Sequence, residues 1–145
     1  MVPQEARQAI SRIVEKIITD YAPQKVILFG SYAYGDPNLD SDIDMLIIKE
    51  TSERFLDRWM MIHRIITGLH RSLPVEPLVL TPQEVENRLA VGDQFIVEIL
   101  EKGKVLYAER YPFVVDSGLT EDDVRESLEQ VNGLAERFRV ELAGE

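Results

Sequence analysis

The stretch Phe29-Gly-Ser-Tyr-Ala-Tyr-Gly-Asp-Pro-Asn-Leu-Asp-Ser-Asp-Ile-Asp-Met-Leu-Ile-Ile48 decides how the rest of the chain is interpreted. It joins an apolar strand, a Gly-Ser turn and a second strand that carries acidic residues at alternate positions. Because side chains on a strand repeat every two residues, Asp42 and Asp44 emerge on one face, about 6 to 7 Å apart along the backbone. Such a pair is stable if water hydrates it well or if a cation such as Mg²⁺ lies between the carboxylates.

Helices and short strands are predicted on both sides of this stretch. Apolar residues recur every three or four positions over residues 3–21, which indicates a helix with one buried face. Thr51 or Ser52 begins a second predicted helix that runs to about residue 71. Its predicted inner face consists of Phe55, Trp59, Ile62, Ile66 and Leu69. Short apolar runs predict strands at 25–29, 42–49, 75–80 and 103–107.

Several later residues mark the boundaries of elements. Pro77 cannot donate a backbone hydrogen bond, so the strand at 75–80 is either an edge strand or a bulged one. Thr81 and Pro82 predict the start of a helix that Gly92 breaks or kinks. Thr120 begins a final predicted helix, and both packing on its own domain and contact with a partner remain open for it. The apolar stripe of this helix is Val124, Leu128, Val131, Ala135, Phe138 and Leu142.

The composition excludes several classes of protein. The chain has 145 residues, about the size of one domain, and its 26 acidic and 16 basic residues give a formal net charge of −10. This charge disfavours binding to a phosphate backbone, so a nucleic-acid template is not an expected partner. The absence of cysteine excludes a disulfide scaffold and a thiolate zinc site. No apolar run is long enough for a membrane span or a signal peptide, so we expect a cytoplasmic protein without a membrane partner.

The Gly-Ser turn and the acidic strand together carry a family resemblance. Gly30-Ser31, followed by Ser41-Asp-Ile-Asp44 on the next strand, resembles the signature of the polymerase-β-type nucleotidyltransferase superfamily. The chain is most similar to the small bacterial and archaeal members, the minimal nucleotidyltransferases, over about residues 25–107. The resemblance implies an α/β (α+β) fold in which helices flank a small mixed β-sheet. It places the nucleotidyltransferase domain at residues 1–108 and an added connector and C-terminal helix at 109–145.

The resemblance also implies roles for five residues. Gly30 and Ser31 would bind the phosphates of the nucleotide, and Asp42 and Asp44 would bind two Mg²⁺ ions. Glu76 would complete the metal site from the neighbouring strand and assist removal of a proton from the acceptor hydroxyl. A physical argument supports this set, because transfer at phosphorus needs reactants to be positioned and developing charge to be neutralised.

Two features depart from the pattern of the family. Its members commonly have Gly-Ser-Arg-Ala-Arg-Gly, whereas Tyr32 and Tyr34 occupy the two arginine positions here. The family pattern therefore predicts weaker phosphate binding in this chain. Glu76 stands where aspartate is frequent, and Pro77 follows it directly.

Two functional hypotheses follow from these observations. The first is a Mg²⁺-dependent enzyme that transfers a nucleoside monophosphate, AMP from ATP, to a hydroxyl acceptor. Minimal nucleotidyltransferases are often antitoxins that bind a helical ribonuclease and adenylylate one of its tyrosines, which implies a helical protein partner, whereas other relatives modify small molecules. The second hypothesis is a catalytically silent binding module that acts by association through its terminal helix, with a partner or as a homodimer.

Overall fold

The computed structural model describes residues 4–38, 40–69 and 73–109. In chain order its elements are α1 (Gln4–Tyr21), β1 (Lys25–Phe29), α2 (Ser31–Tyr34), β2 (Ile43–Ile48), α3 (Phe55–Ile66), β3 (Val75–Leu80), α4 (Pro82–Ala90), α5 (Gln94–Lys102) and β4 (Lys104–Ala108). The helix predicted from Thr120 lies outside the described residues, so its two alternatives remain predictions. Within the described ranges, no helix combines the length and apolar character that a membrane crossing requires.

The four strands form one mixed sheet in the order β3-β2-β1-β4. β1 pairs antiparallel with both β2 and β4, whereas β2 and β3 run parallel. β3 therefore lies at an edge, where Pro77 need not donate to a second neighbour. The predicted small mixed sheet and the edge position of the Pro77 strand are both confirmed.

Helices cover both faces of the sheet and form two cores. The first core contains the buried face of α1, Ile62 and Ile66 of α3, and alternate strand residues such as Ile43, Met45 and Ile47. The second core joins α4 and α5 to the opposite set of strand residues, which includes Leu46 and Ile48. Because β2 is apolar on both faces over most of its length, it occupies the middle of the sheet. Its one polar residue is Asp44, the second residue of the strand.

The inner face predicted for α3 is partly wrong. Ile62 and Ile66 are fully buried, but Phe55 and Trp59 are 51% and 39% exposed. Arg58 takes the inward position one turn before Ile62 and is only 6% exposed. The helix is therefore rotated relative to the prediction, because a buried arginine at its start displaces the two aromatic side chains toward solvent.

The boundary between α4 and α5 follows its sequence signals. The Thr81 hydroxyl accepts a hydrogen bond from the Glu84 N–H, and the Glu84 carboxylate accepts one from the Thr81 N–H, which forms a capping box. Gly92 has a φ of +74° and separates the two helices, and Asp93 caps the second. The single helix with a break at Gly92 is thus two helices that both pack on the same face of the sheet.

Candidate active site

Two of the three predicted carboxylates lie near the starts of adjacent parallel strands. Asp44 of β2 and Glu76 of β3 are direct partners in the strand register. Because side chains alternate along a strand, Asp44 shares a face with Leu46, and Glu76 shares a face with Leu80. Both leucines belong to the core beneath α4 and α5. The side chains of Asp44 and Glu76 therefore emerge on the same face of the sheet.

Asp42 precedes the first residue of β2, which begins one position later than predicted. The negative charges of Asp42 and Glu76 nevertheless both act on the carboxyl group of Asp44. Burial first, then the negative charge of Asp42 and then that of Glu76 raise the pKa of Asp44 from 3.8 to about 6. The site is therefore a cluster of like charges that repel each other unless a cation or a proton neutralises them.

The turn between β1 and α2 brings backbone directly against the carboxylate of Asp44. Gly30 has φ +74° and ψ −154°, a conformation that is essentially restricted to glycine. A Cβ at this position would also collide with Asp44 Oδ2. Gly30 is thus required both by its backbone conformation and by its close approach to the acidic strand.

We predict that Gly30→Ala destabilises the protein by about 2 to 3 kcal/mol, because it adds a collision with Asp44 to the strain of a positive φ. Gly92→Ala is the matched control, since Gly92 has the same φ of +74° and a Cβ added there would have nothing within 4 Å. That variant should lose only about 1 kcal/mol. Chemical denaturation of both variants measures the difference, and equal losses would contradict the role assigned to the collision.

The residues that follow Gly30 have different environments. Ser31 begins α2 and is half-buried, whereas Tyr32 is buried in the core beneath α1. Tyr34 is 41% exposed at the end of α2. The two tyrosines at the arginine positions of the family therefore differ, since one packs in the core and the other is exposed at the end of α2.

α5 brings two further side chains to the site that sequence reasoning missed. Phe95 packs edge-on against Phe29 with ring centroids 5.6 Å apart, and Phe29 is the register partner of Asp44. At the other end of α5, Lys102 Nζ lies 6.0 Å from the centroid of the Tyr34 ring. The contacts join residues more than 60 positions apart, and no local motif in α5 indicates them.

Comparison with known proteins identifies the family. The sequence profile described as "Nucleotidyltransferase domain" matches residues 10–107. This range covers most of the chain and includes the turn and all three carboxylates. The chain belongs to the nucleotidyltransferase domain family.

One named relative and two solved structures are also similar to this chain. A Methanocaldococcus jannaschii protein that is named as a protein adenylyltransferase is 32% identical over 102 residues, which are 69% of this chain and 96% of that protein. A Sulfolobus solfataricus crystal structure described as a nucleotidyltransferase has a TM-score of 0.53 at 24% identity. The match covers 77% of this chain and 89% of that one, and it supports the fold. A toxin–antitoxin structure with AMP-PNP is also similar, with a TM-score of 0.48 and 18% identity over 92% of this chain and 93% of that chain.

The candidate site offers a donor set that suits Mg²⁺. Asp42, Asp44 and Glu76 supply only carboxylate oxygens, which hard divalent cations prefer. In the part of the chain that the structure describes, no three His, Cys, Asp or Glu side chains form a cluster that could hold a metal ion. Mg²⁺ does not require one, because it usually keeps several waters and binds through one or two carboxylates together with substrate phosphates. Burial, followed by the charges of Asp42 and Glu76, raises the pKa of Asp44, and a bound cation would relieve this unfavourable charge.

Proposed function

We propose that this nucleotidyltransferase transfers AMP from ATP to a hydroxyl group of a protein in a Mg²⁺-dependent reaction. The observation that carries the proposal is the position of Asp44, which lies directly against Gly30, pairs with Glu76 in the strand register and is affected by the negative charge of Asp42. The relative named as a protein adenylyltransferase supports AMP as the transferred group and a protein as the acceptor. A tyrosine of a helical partner, which the resemblance to antitoxins implies, is our specific candidate for the acceptor.

The proposed reaction forms one bond and breaks one bond at the α-phosphorus of ATP. The acceptor oxygen attacks this phosphorus, the bond from the phosphorus to the oxygen that bridges the α- and β-phosphates breaks, and pyrophosphate leaves. The hydroxyl proton passes to a carboxylate at the site, and Glu76 is the proposed acceptor of this proton. Bound Mg²⁺ would supply neutralisation of the charge that develops on the phosphate oxygens.

The position of each side chain suggests its role in the proposed reaction. Asp42 and Asp44 would hold the metal ions at the buried side of the cluster, since Asp44 is already shielded by the strands and by Gly30. Gly30 has no side chain, so a phosphate can approach its backbone closely, and Ser31 offers a hydroxyl beside it. Glu76 is exposed on the edge strand, where an incoming protein hydroxyl can reach it.

We predict that Glu76→Gln lowers turnover by about 10²- to 10³-fold, because it removes the proposed proton acceptor. The KM for ATP should change much less, since two carboxylates remain to hold metal and nucleotide. Steady-state kinetics with a fixed acceptor concentration separate the two effects. A rise in KM with unchanged turnover would instead assign Glu76 to nucleotide binding alone.

The position of the transferred label tests the proposed reaction. The protein is incubated with Mg²⁺, a lysate of its host as the source of acceptors and ATP labelled at either the α- or the γ-phosphate. We expect a labelled protein band with α-labelled ATP only, and release of AMP when the isolated band is treated with phosphodiesterase. Labelling from γ-labelled ATP would indicate a kinase and overturn the proposal.

The alternative of a silent binding module makes a different prediction in the same experiment. A module that acts by association alone transfers no label and binds no nucleotide in a Mg²⁺-dependent manner. Calorimetric titration with Mg²⁺ and ATP therefore separates the two hypotheses before any acceptor is known.

A further inference from the structure

Lys102 is a basic residue at the phosphate side of the site with no role in the reaction described above. Its Nζ lies 6.0 Å from the centroid of the ring of Tyr34, which is the last residue of α2. α2 has only four residues and spans about 6 Å, so the backbone of Tyr34 lies within about one helical turn of Ser31. The flexible four-carbon stem of lysine can carry the charge over the remaining distance.

The position of Lys102 is fixed by the way α5 meets β1. Gly103 follows the helix directly, and its N–H donates to the Ile99 carbonyl at 2.8 Å. A Cβ on Gly103 would lie 2.6 Å from Ile27 Cγ2 and 3.1 Å from the Leu28 carbonyl oxygen. The φ of Gly103 is −65°, so glycine is needed here for space and not for a left-handed turn. This tight contact holds the end of α5 against the strand that leads into Gly30.

The other partner of Lys102 leaves it free to bind an anion. Its Nζ lies 3.4 Å from Glu98 Oε1 one turn earlier, and the two side chains are 57% and 47% exposed. Exposed ion pairs of this kind contribute little to stability, because water and salt screen them. A phosphate group can therefore replace Glu98 as the partner of Lys102 at small cost.

The charge of the site explains why such a cation is needed. A nucleoside triphosphate brings several negative charges to a cluster that already contains Asp42, Asp44 and Glu76, in a chain of net charge −10. These carboxylates would hold metal ions that neutralise part of this charge. The Lys102 ammonium group, at the end of α5, lies over the ring of Tyr34. It is therefore on the α2 side of the Gly30-Ser31 turn.

We propose that Lys102 binds the terminal phosphates of the nucleotide and gives the site its preference for a triphosphate over a monophosphate. Tyr34 holds the ammonium group beside the turn through a cation–π contact when no nucleotide is bound. The inference rests on the proposed function, because it assigns a ligand to the same nucleotide site.

The test is calorimetric titration of the full chain with the non-hydrolysable analogue α,β-methylene-ATP in the presence of Mg²⁺. We expect Lys102→Met to raise the Kd of the analogue about tenfold, the loss typical of a hydrogen bond to a charged group. The Kd of AMP should stay unchanged, since AMP lacks the terminal phosphates. Lys102→Arg should restore most of the affinity, because it keeps the charge.

Two control variants separate phosphate binding from a structural role. Lys16→Met removes a lysine in a similar exposed pair, with Asp20 one turn away at 2.9 Å, but on α1. Glu98→Gln removes the ion-pair partner of Lys102 and leaves the lysine in place. Both variants should bind the analogue at least as tightly as the wild type.

The outcomes distinguish failure of this inference from failure of the proposed function. If the wild type binds the analogue and Lys102→Met binds it equally well, the inference is wrong and the proposed function stands. The same loss in Glu98→Gln as in Lys102→Met would assign the effect to the ion pair and also overturn the inference. If the wild type itself shows no Mg²⁺-dependent binding, the proposed function fails and the inference fails with it.

Discussion

Asp44→Asn is expected to lower the rate of AMP transfer by about a thousandfold or more. Asp44 is the carboxylate that contacts the glycine turn and faces Glu76 across the strand pair, so we expect its loss to weaken the proposed metal and phosphate binding together. Loss of about 4 kcal/mol of charge stabilisation in the transition state corresponds to this factor. Initial rates with α-labelled ATP measure the loss. Asp36→Asn, an exposed acid in the adjacent loop, is the control and should leave the rate unchanged.

The same substitution should stabilise the metal-free protein. Burial and the charges of Asp42 and Glu76 raise the pKa of Asp44 to about 6 from 3.8, so the ionised group opposes folding above pH 6. Allowing for solvent screening, Asp44→Asn should gain about 1 kcal/mol at pH 8, or about 4 °C in Tm. The gain should shrink as the pH falls through 6 and disappear below about pH 3, where both the folded and the unfolded chain hold Asp44 protonated. An equal gain at pH 4 and pH 8 in thermal scans with EDTA would contradict the like-charge cluster.

Arg58→Ala is expected to destabilise the fold by about 3 kcal/mol, the largest loss we predict for one side chain in α3. The Arg58 guanidinium donates to the Glu84 carboxylate at 2.6 Å, the Glu53 carbonyl at 2.8 Å and the Val79 carbonyl at 3.3 Å. Because Val79 belongs to the edge strand β3, the arginine covers the open edge and joins α3 to the start of α4. Its removal leaves a buried carbonyl without this donor and a cavity beside the strand. Urea denaturation measures the loss.

Arg54→Ala is the matched control for this prediction. Arg54 lies one turn earlier and pairs with Asp57 at 3.1 Å, but its side chain is 86% exposed. Exposed pairs of this kind contribute about 0.5 kcal/mol or less. Similar losses for Arg54→Ala and Arg58→Ala would contradict the assigned role of burial.

The Glu84 partner adds a pH dependence to the same interaction. Burial raises the pKa of Glu84, but hydrogen bonds from Thr81 and the hydrogen bond and charge of Arg58 outweigh burial and lower it below 4.5. A carboxyl group with a lowered pKa stabilises the fold above its unfolded value and loses this effect as the pH falls through the folded value. The stability difference between wild type and Glu84→Gln should therefore be present at pH 7 and shrink below about pH 4.

The fold was largely predictable because its signals are local. Apolar runs, the edge-strand proline Pro77 and the capping sequence at Thr81 each report on their own few residues, and these elements form where expected. Asp42 and Asp44 were recognisable for the same reason, since a period of two places both acids on one face of a strand. The pairing of Asp44 with Glu76 followed from the family resemblance, and only the register of parallel strands makes it a neighbour relation.

The remaining features depend on contacts between distant parts of the chain. The apolar spacing in α3 indicated Trp59 as an inner residue. Arg58 faces inward instead, because it pairs with Glu84, and this partner is 26 positions away in the sequence. Lys102 is equally invisible in a local pattern, since only the packing of α5 on β1 brings it above Tyr34. The spacing of apolar residues predicts which face of a helix or strand is buried. The position of a charged side chain depends instead on a partner that only the folded chain brings near.

The central claim is that the acidic end of β2 and the adjacent glycine turn form a Mg²⁺-dependent nucleotide site. Calorimetric titration of α,β-methylene-ATP into the wild type and Asp42→Asn, each with Mg²⁺ and with EDTA, tests it without knowledge of the acceptor. We expect the wild type to bind with Mg²⁺ only, and Asp42→Asn to bind at least about tenfold more weakly. Binding of equal strength in the wild type and the variant, or in Mg²⁺ and EDTA, would contradict the claim.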